Sequence, residues 1–304
     1  MASPPVPDRA ALHAHCEDCV ALCCAAFAFT RSADFPEDKS AGTPCHHLDQ
    51  DHSCTIHDRL EARGYRGCIA FDCFGAGQRV TRSFGDDAAR TSPRDAALVH
   101  DVFTVVRQLH EMLWHLAEAT RRAYEGTTVD AAHDLSEGLS ALTRREPHHL
   151  ARLDVESLRD EVRAVLVDTS RQVRAAYRAT DRKAGGLGGS GADLAGRDLR
   201  RLDLVGEDLR GACLIGSDLR GSDLTAVDLL GADLRGARLD GADLADALFV
   251  TQGQLQSAHG NDATALPPDV RRPLTWSGRS AHRERQPEVV EGRGHRRVWG
   301  GPHA

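Results

Sequence analysis

Eight of the nine cysteines of this 304-residue chain fall in its first quarter, at Cys16, Cys19, Cys23, Cys24, Cys45, Cys54, Cys68 and Cys73. Thiolates are soft ligands that select zinc, iron or iron–sulfur clusters, and a bound metal keeps them deprotonated near neutral pH. The first four form C-x2-C-x3-C-C. If that stretch is helical, Cys16, Cys19 and Cys23 lie within about 60° of one another on one face, a poor core but a good ligand set. The eight thiols could close two four-coordinate zinc sites, or hold one cluster with thiols to spare. The competing reading is small buried hydrophobes or redox-labile thiols. It ranks below metal binding, because clustered cysteines in a cytosolic chain bind metal more often than they pair. His46, His47, His52 and His57 read as polar surface residues or as supports around the ligands. Cys213, far down the chain, reads as a bystander.

Other candidate chemistry fails on spacing. His110-Glu111-Met112-Leu113-Trp114-His115 approaches the zincin H-E-x-x-H pattern, but its histidines are five apart, about 140° around a helix, and cannot share a metal. Gly186-Leu187-Gly188-Gly189-Ser190-Gly191 satisfies G-x-G-x-x-G without the preceding strand or following helix that a nucleotide site needs, so it reads as a linker. Gly75-Ala76-Gly77 reads as a turn. No nucleophile with a spaced base is visible, and the expectation is a protein without catalytic residues. An iron–sulfur redox enzyme is retained only at low weight.

The elements that carry these residues follow from periodicity. Ser92-Pro93 reads as a helix start, after which Leu98, Val102, Val105, Leu109, Met112, Leu113 and Leu116 recur at three and four. A second helix is expected near 129–142 with Leu135, Leu139 and Leu142 inward. A third is expected near 155–177 with Leu158, Val162, Val165, Leu166, Thr169, Val173 and Tyr177 inward. Such a bundle would cover the cysteine head or bridge it to the C-terminal third of the chain.

That C-terminal third holds eleven leucines five residues apart, from Leu194 to Leu244. A five-residue step winds around every face of a helix and alternates faces on a strand. Only a chain that turns a corner every few residues keeps the leucines together. Asp precedes Leu at nine of the eleven repeats, and Gly stands two residues after it at eight, where a corner needs φ freedom. Thr251 and Gln254 then form a capping-box pattern for a short helix that could shield the last repeat, with Leu266-Pro267-Pro268…Trp276 lying back against it.

Two resemblances rest on these residues. The A-D-L-x-x pattern at Ala192-Asp193-Leu194, Ala232-Asp233-Leu234 and Ala242-Asp243-Leu244 resembles the pentapeptide-repeat proteins. The resemblance implies a right-handed quadrilateral β-helix with four pentads per coil. With Phe249 central to a twelfth pentad, it implies a stub of about three coils, ~15 Å long. The opening C-x2-C…C-C, followed by Cys45-His46-His47-Leu48-Asp49 and Cys54-Thr55-Ile56, resembles the CxxCxxCC family of zinc- or iron-chelating domains. That likeness implies ligands at Cys16, Cys19, Cys23, Cys24, Cys45, Cys54 and Cys68. The chain departs from that family in having three residues before the Cys-Cys pair, a longer Cys54-to-Cys68 spacing, and the additional Cys73.

The expected multi-domain architecture is a Cys-rich metal-binding head (1–90), a helical bundle (91–183), a Gly-rich linker (184–191), the solenoid (192–250), a C-terminal cap (251–277) and a disordered tail (278–304). A net charge of −7, with lysine only at Lys39 and Lys183, gives no general affinity for nucleic acid and points to a GC-rich bacterial genome. The absence of any apolar run long enough for a signal or a membrane span places the protein in the cytoplasm. The functional expectation is a zinc- or iron-binding protein whose solenoid is a scaffold for a protein partner. The alternative, a DNA mimic that binds a topoisomerase such as gyrase, needs a long surface of one sign, since a duplex carries a charge about every 1.7 Å. Here Arg200, Arg210, Arg220 and Arg235 interleave with the aspartates; only a tail-to-tail dimer would lengthen the surface. Partner and oligomeric state are not legible.

Overall fold

In the computed structural model, residues 9–85, 93–178 and 187–276 are described. Ser92, the linker residues before Leu187 and the expected tail at 278–304 lie outside them. Eight α-helices occur among the described residues: α1 Leu22–Ala26, α2 Arg66–Ala70, α3 Ala76–Phe84, α4 Pro93–Arg122, α5 Gly126–Leu142, α6 Pro147–Leu150, α7 Val155–Arg178 and α8 Gln252–Ser257. The three long helices stand where the periodicity puts them. None is long and apolar enough to cross a membrane.

α4 is the axis of the molecule. At 1.5 Å per residue it runs about 45 Å, and it buries residues on every side, including Val102, Phe103, Leu109, Leu113, Trp114 and Leu116. A helix apolar all round must be enclosed, and α1, α3, α5, α6 and α7 all pack on α4. On α5 and α7 the expected inward residues Leu139, Val162, Val165, Leu166, Thr169 and Val173 are buried and Leu135, Leu142 and Leu158 pack half-buried against the core, whereas Tyr177 at the end of α7 is 39 % exposed.

The repeat segment stacks on itself every twenty residues. Asp193 pairs with Cys213 and Cys213 with Asp233; Asp208 pairs with Asp228 and Asp228 with Leu248, all in parallel. Amides and carbonyls carry the same step, as in Leu214 N to Asp233 O at 2.9 Å. All eleven leucines and Phe249 are at most 3 % exposed. The glycines two residues after Leu hold φ between 62° and 70°, the left-handed corner that favours glycine, and Ala226 takes the same corner at 56°.

The linker ends earlier than expected. Gly191 already donates to Arg210 O at 2.7 Å, so it belongs to the first coil. At the other end the capping box forms, Thr251 and Gln254 bonding reciprocally. Beyond α8 the ladder continues, with His259 on Arg238 and Ala265 on Asp243, and the Trp276 indole, 1 % exposed, donates to Ala258 O.

Head, bundle and repeats meet in one packed core. Trp114, Glu118 and Arg122 form a stripe four residues apart on α4 that reaches the last pentad: the Trp114 indole donates to Val250 O, Glu118 Oε1 accepts from the Phe249 amide at 3.2 Å, and Arg122 pairs with Asp246. Glu118 is also held by Arg9 at 2.8 Å, both side chains nearly without exposure. Arg9 lies over the Trp114 ring and bonds Asp269 of the cap. α2 of the head packs on α8, so closely that a β-carbon on Gly253 would meet Ala70 O at 2.4 Å.

Candidate metal centre

The cysteine segment is not the continuous helix that would align Cys16, Cys19 and Cys23. Cys16–Asp18 form a 3-10 turn, Cys19 is extended, and Ala21 takes a left-handed φ of 55° before α1 begins. That break decides the site. It separates the strand-like Cys19 from Cys23 and Cys24, which share the single turn of α1 with their sulfurs 4.0 Å apart.

The thiols distribute around two packing centres. Cys19 and Cys73 flank Gly77, where an added β-carbon would stand 2.7 Å from the Cys19 sulfur and 3.8 Å from that of Cys73. Cys19, Cys23 and Cys73 pack against the main core. The 3-10 turn bearing Cys16 rests on α3, which starts just past Cys73. Cys16, Cys19, Cys23 and Cys73 are thus gathered where the N-terminal segment meets α3. Cys54 packs against a separate small core of Ile56, Leu60 and Tyr65. There Cys45 N donates to Cys24 O at 3.0 Å, Leu48 and Cys54 form an antiparallel bridge, and α2 presents Cys68.

The electrostatics link the thiols across the head: Cys16 is raised by burial first, then by Cys19 and also by Cys24. Cys68 is pushed up to about 12 by burial and then by Cys24, Cys45 and Cys54, and Cys73 to about 11 by burial above all. Cys23 is raised by its hydrogen bond to Cys24 and by burial, with Cys19 and Cys73 contributing. Cys24 is pulled down to about 7 by that same bond, with help from Lys39. Burial likewise raises Cys45 and Cys54, opposed by the amides of His47 and Ile56, each two residues on. Gly75 and Gly77 face the Cys73 sulfur in the same manner. Neighbouring buried thiols resist ionising together; a divalent cation among them reverses that preference.

Two residues of this region carry no spacing signal in the sequence. Lys39 bonds Ala25 O at 3.3 Å and also Phe27 O, so its ammonium caps α1 beside Cys24, Cys45 and Cys68. Glu37 lies 3.2 Å from His46 Nδ1 and accepts from the Tyr65 hydroxyl. Among the described residues Glu37, His46 and His47 are the one group whose ligand atoms all lie within 4.8 Å of one another; no three cysteine sulfurs do. His52, at a left-handed φ of 67°, turns the loop between Leu48 and Cys54. Cys213 sits on a rung between Asp193 and Asp233, outside both thiol groups.

The other motifs resolve as structure. His110 Nδ1 bonds Phe74 O at 2.7 Å, while His115 meets the Phe249 ring edge-on, so the two rings serve different neighbours. Gly75 is not part of a mere turn: at φ 74° it opens α3. Its sequence hides a helix because Gln78 and Thr81 fill the inward face beside Val80.

The twenty-residue ladder and its buried leucines have a counterpart in comparison with known families. The model for pentapeptide repeats matches residues 190–225 and 217–250, with eight copies. Residues 190–250 belong to the pentapeptide-repeat family. The likeness extends well beyond the repeats: an uncharacterized protein, YybG of Bacillus subtilis (strain 168), is 48 % identical over 266 residues, covering 87 % of this chain and 95 % of that one. This pentapeptide-repeat protein therefore shares a family with YybG over the helical region as well as the repeats.

Proposed function

We propose that this pentapeptide-repeat protein is a metal-binding scaffold. In this reading Cys16, Cys19, Cys23 and Cys73 hold one zinc or iron centre, and Cys24, Cys45, Cys54 and Cys68 hold a second. The observation that supports it is that Cys19, Cys23 and Cys73 pack on the main core while Cys54 packs on the separate small one, with the sulfurs of the adjacent Cys23 and Cys24 4.0 Å apart between them. The donor set fits such an ion: all-thiolate sites of four are a standard closed coordination for zinc and for iron–sulfur clusters. Metal at Zn–S distances of about 2.3 Å would draw the sulfurs inward. Amides at His47, Ile56, Gly75 and Gly77 would then stabilise the thiolates, and Lys39 would offset charge at the second centre. Bound there, the metal would supply cross-links that tie the N-terminal segment to α3 and the Cys45–Cys54 loop to α1 and α2.

The repeats fit the right-handed quadrilateral β-helix of the family, offered to a protein partner as a rigid wall. A DNA-mimic role needs one-sign faces, and of the faces only the column of Asp203, Asp223 and Asp243 is acidic throughout. Asp198, Asp208, Asp218 and Asp233 each bond the arginine two residues on, at 2.5–2.7 Å, which cancels the acidic signal locally.

The test is elemental analysis and an ultraviolet–visible spectrum of anaerobically purified full-length protein, alongside Cys16→Ser and Cys54→Ser. Each variant should lose half of the bound metal, and the spectrum separates colourless zinc from a brown cluster. Protein with neither zinc nor iron and eight freely titratable thiols overturns the reading.

A further inference from the structure

A pocket of about 310 Å³ opens between the N-terminal segment, α3, α4 and the end of α5, on a different part of the head from the second thiol group. Its polar lining is Arg79 and Arg82 from α3, His110 from α4, and Ser140, Thr143 and Arg144 from the end of α5. Among the described residues no carboxylate lines it. The charges that bear on Arg79 are those of Arg82 and Arg144, so this chain of net charge −7 has gathered three like charges without an acid. The buried Arg9 and the half-buried Arg174 instead face carboxylates, Glu118 and Asp208. A second feature points the same way. The Ser140 hydroxyl is buried, the residue 3 % exposed, and has no hydrogen-bond partner among the described residues. Ser170, Ser217 and Ser222 share this state, but Ser140 is the one of these serines that lines this pocket.

We propose that this pocket binds the phosphate group of a small molecule. Guanidinium groups match phosphate oxygens through paired, charge-assisted hydrogen bonds, and Ser140 would donate a further one. Arg79 is already held in place for such a contact, since it bonds Thr143 O at 3.0 Å and Ser83 Oγ at 2.7 Å, which fixes its fork at the pocket wall. The volume is at the lower end for ligand pockets, so the occupant is small. This inference does not rest on the metal reading.

Calorimetric titration of the full-length protein with inorganic phosphate and, separately, with glycerol 2-phosphate tests it, chloride holding ionic strength constant. Saturable binding is expected, weakened about tenfold or more in Arg82→Gln/Arg144→Gln. Both arginines are exposed, so the variant should keep its unliganded melting temperature. Ser140→Ala should weaken binding without altering the metal content. Tighter binding of the inorganic ion marks a free-anion site and tighter binding of the ester marks a phosphorylated metabolite, each supporting the proposal. No saturable binding of either, or equal affinity in the double variant, overturns it.

Discussion

Replacing Glu118 with alanine should cost about 3–5 kcal/mol, the range for removing one partner of a buried ion pair. The carboxylate has two duties on opposite sides: Oε2 holds Arg9 at 2.8 Å and Oε1 accepts from the Phe249 amide at 3.2 Å. Alanine would leave the Arg9 guanidinium, 4 % exposed, with Asp269 as its remaining carboxylate, and would orphan a backbone N–H inside the last coil. The orphaned amide alone is worth about 1–3 kcal/mol. Glu118→Gln keeps an acceptor for that amide and loses only the charge, so it should fall between wild type and alanine. For a chain of this size each kcal/mol moves the melting temperature by roughly 2–4 °C, which makes the alanine effect on the order of 10 °C. Calorimetry on wild type, Arg9→Ala, Glu118→Ala and the double variant closes a cycle whose coupling term isolates the pair. A loss under about 1 kcal/mol for Glu118→Ala, the value of an exposed pair, would show that the head and the last coil are not joined through this residue.

Two further outcomes follow from individual groups. Gly77→Ala should displace the Cys19 sulfur, 2.7 Å from the new β-carbon, and remove the metal of the first thiol group alone; Gly138→Ala, with nothing within 4 Å, should leave metal unchanged and stabilise α5 by about 0.5–1 kcal/mol. Unaltered metal content in Gly77→Ala would contradict the first grouping. The second outcome concerns acid. Burial lowers His110 to about 4 and His115 to about 3, so below the unfolded value near 6.5 the unfolded chain takes up protons that the native chain refuses, and stability falls with pH. Burial raises Asp228 to about 6, which acts oppositely because the native state binds that proton first. Between pH 7 and 5 each histidine removes about 2 kcal/mol and Asp228 returns about 1.4, a net loss of about 3 kcal/mol. Denaturant midpoints at the two pH values should show it, and His115→Phe should reduce the drop; an identical drop in that variant refutes the assignment.

The repeats were legible because their period admits few solutions: a leucine every five residues leaves only a coil that turns corners, and every one of those leucines is buried. The long helices were legible for the same reason, since three-and-four spacing selects one face. What the sequence hides is whatever depends on chain direction at a single residue. Ala21 in the left-handed region breaks the C-x2-C-x3-C-C segment, and that break lets Cys23 and Cys24 face different neighbours. Glu37 and Lys39 belong to the site through folding of the 29–39 loop, where Phe29 pairs with Lys39. The pocket draws Arg79 from α3 and Arg144 from the turn after α5, far apart in the chain, and Glu118 reads as one acid among many on α4. Such residues carry no periodicity to betray them.

The ends of the coil stack argue about its use. At the last coil the rungs are extended by His259 and Ala265 from the cap, and α8 is pressed against α2. A second copy joining tail to tail would have to displace both, including the contact at Gly253, so lengthening the stack that way is disfavoured. At the first coil the device differs. Of the four positions two before Leu in the first coil, Ala192 is small like Ala212, Ser217, Ala232, Ala237 and Ala242 of later coils, whereas the other three are Arg197, Leu202 and the buried Glu207. Arg197 and Leu202 are exposed. Polar or oversized residues at a terminal repeat keep a stack from propagating. The coil is thus stopped at both ends by its own sequence, with α4 and α7 held along it through Arg122–Asp246 and Arg174–Asp208. A length fixed in this manner, with Asp198, Asp208, Asp218 and Asp233 each bonded to its own arginine, supports the proposed scaffold over a surface selected for length and charge.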